Sequence, residues 1–73
     1  MRKKQLIIET TEGEEDFEVD EIGKRFYVFK LLTNVKGSGQ SKKIGDAVSW
    51  NAAVELAKVF TGKPVVDIKA KES

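Results

Sequence analysis

The residues best equipped for chemistry in this chain are the acids Asp16, Glu18 and Asp20 and the hydroxyls Ser38, Ser41 and Ser49. There is no histidine and no cysteine, which removes the commonest general base, the thiol nucleophile and the usual zinc ligands together. None of the three serines has a base near it in sequence. The acids alternate with Phe17 and Val19, so a strand that buries Phe17 and Val19 turns the carboxylates toward water, where nothing raises one pKa for acid catalysis. The glycine of the acidic stretch, Gly13, precedes most of its carboxylates, unlike a calcium loop with its central glycine. These residues point away from an enzyme, a metal site, a cofactor and a small-molecule substrate.

A second candidate is the basic loop that begins at Lys36. Its glycines, Gly37 and Gly39, are followed by Lys42 where a dinucleotide fingerprint needs a third glycine, and Gly45 is followed by Asp46, which repels an anion. Over residues Gly37, Ser38, Gly39, Gln40, Ser41, Lys42 and Lys43 the loop resembles the stretch of double-stranded-RNA-binding domains in which a glycine-rich turn brings paired lysines to phosphates. Beyond them the small residues of that family are replaced by Ile44 and Val48. The run from Lys24 to Phe29 is similar to the aromatic strand of RNA-recognition motifs, without the glycines between the aromatics. These likenesses imply a nucleic-acid surface made of Lys24, Arg25, Lys30, Lys36, Lys42 and Lys43, with Tyr27 and Phe29 as stacking platforms. A net charge of +1 weighs against a dedicated nucleic-acid binder.

The elements that would position these residues follow from periodicity. Residues 5–11 read as a strand, the glycine and glutamates after them as a turn, and residues 16–20 as a second, half-buried strand paired as a hairpin. Gly23 closes it or marks a bulge. Residues 25–35 are apolar in both alternating sets, with Phe26, Val28 and Leu32 on one side and Tyr27, Phe29, Leu31 and Val35 on the other, the pattern of a central strand covered twice. Residues 41–45 fit an edge strand and a loop equally well. Residues 49–61 read as a helix with Ser49 as N-cap, or Asp46 a turn earlier, and it stops at Gly62 and Pro64. Residues 65–68 form a last strand, and residues 69–73 a frayed tail.

The helix is apolar around more than half of its circumference. At about 100° per residue, Val59, Ala52, Leu56, Phe60, Ala53, Ala57, Trp50 and Val54 form one arc, and only Lys58, Asn51 and Glu55 fill the rest. That is wider than packing on one sheet requires. The fold class is therefore α+β, a small, mainly antiparallel sheet in the order β-β-β-α-β with one helix packed on one face, forming a single domain over residues 1–73.

Charge is distributed unevenly. Residues 5–23 hold eight acids and no base, and the remainder holds thirteen bases against four acids, so the sequence suggests a polarised molecule if the fold keeps the two sets apart. Arg2, Lys3 and Lys4 resemble the charged start of a signal peptide, but the apolar run after them ends at Glu9, too short for a signal core or a membrane span. The lack of cysteine fits a reducing, cytoplasmic setting.

The expected function is a small non-enzymatic interaction module. A surplus of apolar surface on a domain of this size suggests a partner, most simply a second copy or else another protein. It would dock on Tyr27, Phe29 and Leu31 of the third strand or on Ala52, Leu56 and Val59 of the helix. Nucleic-acid binding by the basic loop and its neighbours is the alternative.

Overall fold

The structure, a computed structural model, describes residues 1–32 and 41–72. Strands β1 (Arg2–Thr10), β2 (Gly13–Ile22), β3 (Arg25–Leu31) and β4 (Ser41–Ala47) are followed by helix α1 (Trp50–Thr61) and strand β5 (Val65–Glu72). They form one five-stranded antiparallel sheet in the order β4-β3-β2-β1-β5, with α1 packed against it. The α+β architecture read from the sequence is thus the architecture of the protein.

Alternation sets the two faces of the sheet. Leu6 and Ile8 of β1, Phe17 and Val19 of β2 and Val28 of β3 are fully or almost fully buried beneath Ala53 and Ala57 of α1. Leu6 lies opposite Phe17, and Val19 opposite Val28, so the same parity is buried strand after strand. Each such side chain contributes about 1.5–3 kcal/mol through its burial. The helix meets the sheet through alanines and therefore sits close. On β4, Gly45 permits the same approach: a Cβ there would lie 2.8 Å from Cδ2 of Leu56.

The helix ends are as the sequence specifies. Ser49 is the N-cap, its Oγ accepting from the Ala52 amide at 3.1 Å. Gly62 takes the left-handed conformation, φ 66°, which a residue with a Cβ adopts only at a cost.

Several boundaries differ from the sequence reading. β1 begins at Arg2 and β2 spans Gly13–Ile22, because the charged ends of each continue the ladder that their apolar middles start. Residues 41–45 belong to a strand, β4, which runs on to Ala47 paired with β3. Residues 69–72 do not fray: Lys69, Ala70, Lys71 and Glu72 pair with Ile7, Leu6, Gln5 and Lys4, and Arg2 holds Glu72 at 2.6 Å. β3 ends at Leu31, and Val35, Lys36, Gly37, Ser38 and Gly39 lie outside the described residues.

Two strands carry an extra residue. Val28 pairs with Gly45 and Phe29 with Lys43, leaving Ile44 without a partner and packed against the core. On β5 the register shifts between the partners of Glu9 and Thr10, so Val66 is unpaired. Among the described residues no helix is long and apolar enough to cross a membrane.

Candidate interaction surfaces

Three of the residues named from the sequence, Tyr27, Phe29 and Leu31, alternate with the covered Val28 and so lie on the sheet face turned away from α1. They are half-buried by their cross-strand neighbours, which are charged or polar. Tyr27 lies between Asp20 and Asp46, Phe29 between Glu18 and Lys43, and Leu31 opposite Ser41. Further along the face, Ile7 lies between Asp16 and Lys69. The strand that reads as apolar on both sides is thus covered by the helix on one side only.

The acids of β2 depart from the expectation that they point freely into water. Asp20 is only 9% exposed, enclosed between its neighbours Tyr27 and Lys3. Its Oδ1 is buried without a donor among the described residues. Glu18, two residues away on the same face, has its pKa raised by the hydrogen bond to Asp20, by burial and by repulsion from the Asp20 carboxylate, against a lowering by Lys3. Lys3 reaches Glu18 at 3.7 Å. Among the described residues no group of acids converges to hold a metal ion.

The other three named residues come together. Ala52, Leu56 and Val59, with Ala47 and Val48, line an open depression of about 480 Å³ along the flank of α1. Arg25, Asp46 and Glu55 form its polar parts. Val59 is 76% and Val48 70% exposed, so the apolar lining faces solvent. Arg25 and Asp46 are ion-paired across β3 and β4. This contact holds the Asp46 carboxyl below the usual carboxylate range and raises Arg25 further. Sequence periodicity did not reveal Val48, which sits between a strand and the N-cap of a helix and shares the repeat of neither.

The basic residues, by contrast, are dispersed. Lys24 occupies the β2–β3 turn and Arg25 is engaged with Asp46. Lys30 shares the parity of Val28, donates to the Leu31 carbonyl at 2.8 Å and lies 5.6 Å from the Phe17 ring centroid. Lys42 pairs with Lys30 and its neighbour Lys43 with Phe29, so the adjacent lysines address opposite faces of the sheet. Lys43 Nζ stands 4.8 Å above the Tyr27 ring, within cation–π range. Lys36 lies outside the described residues.

The fold also mixes the two charge sets instead of separating them. Lys3 and Lys63 meet Glu18 and Glu15 of β2, at 3.7 and 3.3 Å, while β5 sets Lys69 and Lys71 beside β1. Comparison with protein-family models, with curated proteins and with solved structures finds no match to this chain.

Proposed function

We propose that this domain is a non-enzymatic interaction module that associates with a second copy of itself through the flank of α1. The supporting observation is the gathering of Val48, Ala52, Leu56 and Val59 in one open depression. Contiguous exposed apolar surface on a small domain marks a docking site. Its rim carries both signs, Arg25 against Asp46 and Glu55, so the patch can face its own copy about a two-fold axis without stacking one charge on itself. Val59→Lys tests the reading by sedimentation equilibrium. Placing a charge in the contact should weaken self-association at least about tenfold, and an association constant unchanged by the substitution overturns the proposed interface.

A second reading, single-stranded nucleic-acid binding on the open sheet face, draws support from Lys43 over Tyr27 beside Phe29. Asp20 and Glu18 lie directly opposite those aromatics and would repel phosphates. Fluorescence anisotropy with oligonucleotides decides it: binding that weakens with salt and is lost in Lys42→Glu with Lys43→Glu supports this reading, and no binding removes it.

A further inference from the structure

β5 is the outer strand of the sheet on the side of β1, and no described element lies beyond it. The direction of its backbone groups follows from the ladder. Thr11 donates its amide to the Pro64 carbonyl at 3.2 Å, which sets the alternation by which odd-numbered β1 residues turn their backbone groups toward β5. Ile68, opposite Ile8, consequently directs its own N–H and C=O at the free edge. The Ile68 amide is bonded at 2.9 Å to Oδ1 of Asp67, its own neighbour, in place of a strand.

The side chains of this edge are apolar and charged in an ordered way. Val66 is 62% and Ile68 37% exposed, and Asp67, Lys69 and Lys71 share the face turned away from the helix, opposite Glu9, Ile7 and Gln5. The geometry points to β5 as a self-pairing edge: two copies join antiparallel through this strand about a two-fold axis at Ile68, extending the sheet across both molecules.

Charge complementarity selects the register. Paired residues must share a face, so the axis passes through a residue and not between two. With the axis at Ile68, Asp67 lies opposite Lys69 of the second copy on both sides of the axis and Ile68 meets Ile68. An axis at Asp67 or at Lys69 sets that charge against itself, and an axis at Ala70 sets Lys69 against Lys71. The register at Ile68 also uses the outward amide and carbonyl of Ile68 as a reciprocal hydrogen-bonded pair, with Asp67 leaving that amide for Lys69 of the second copy. Lysines on an edge commonly keep other chains off, but here the order acid, apolar, base leaves one self-complementary alignment.

The inference does not depend on the helix flank, which lies beside β4 at the other end of the sheet. The test uses the whole chain. Asp67→Lys and Lys69→Asp should each weaken self-association about tenfold, since like charges then oppose each other on both sides of the axis. The double variant carrying both changes should recover wild-type affinity. Because the chain has no cysteine, Ile68→Cys should oxidise to a covalent dimer, whereas Lys71→Cys, far from the axis, should not. Single variants that associate as wild type, or equal cross-linking at both positions, overturn the inference. If the charge variants have no effect while Val59→Lys abolishes association, the edge contact falls and the flank stands, and the reverse pattern retains the edge and removes the flank.

Discussion

Glu18 and Asp20 show how one pair of side chains departs from the rule that alternating acids face water. The raised pKa of Glu18 means that the folded state binds a proton more tightly than the unfolded state. Its contribution to stability is therefore fully present below the ordinary glutamate pKa and is lost as pH rises through the raised value. Glu18→Gln, which supplies a donor at every pH, should unfold later than wild type at neutral pH in urea titrations, and the difference should vanish in acid. A constant difference across the pH range would contradict the raised pKa of Glu18. Asp46 has the opposite sign: its carboxyl, depressed by Arg25, favours the fold above its unfolded pKa and loses that effect only as pH falls through the lower folded value. Gly45 is a further residue whose role is set by a neighbour. Gly45→Val should cost about 1–3 kcal/mol by pushing Leu56 out of place, measured by thermal unfolding, and a variant as stable as wild type would show that Leu56 yields freely.

At the scale of elements, legibility depended on how much of an element's signal was its own. The helix was legible because Ser49, Gly62 and Pro64 mark its ends and its apolar period is long. Ser49→Ala should lower stability by about 1 kcal/mol through loss of the cap, and calorimetry would read it. β2 announced itself through Phe17 and Val19. Phe17→Ala should cost about 3–5 kcal/mol, because that ring is fully buried and meets Phe60 edge-on at 6.1 Å; a loss under about 1 kcal/mol contradicts the placement of the core. Trp50, half-buried with Lys4 4.7 Å from its ring centroid, should be less costly to remove than Phe17, although the sequence places it in the apolar arc of the helix. β4 and the end of β5 were illegible for a common reason. Ser41, Lys42 and Lys43, like Lys69 and Lys71, carry no apolar alternation, and these segments are strands because a neighbouring strand offers them backbone partners.

For the whole molecule, α1 packs against β1 to β4 on one face of the sheet and leaves β5 largely exposed, and the excess apolar circumference foreseen from the sequence emerges along the β4 side of α1. The two trios named as docking candidates fare differently in that arrangement. Tyr27, Phe29 and Leu31 are framed by Asp20, Glu18, Lys43 and Ser41, whereas Ala52, Leu56 and Val59 are joined by Val48 in a surface that no described element covers. Which trio stays open could not be read from periodicity, since it depends on cross-strand register. The measurement that tests self-association most directly is an amide NMR dilution series of the unmodified chain down from about 1 mM. The account predicts concentration-dependent shifts at Val48, Ala52, Glu55 and Val59, with a second set centred on Ile68. Spectra that do not change with concentration, or shifts confined to Tyr27, Phe29 and Leu31, would contradict it.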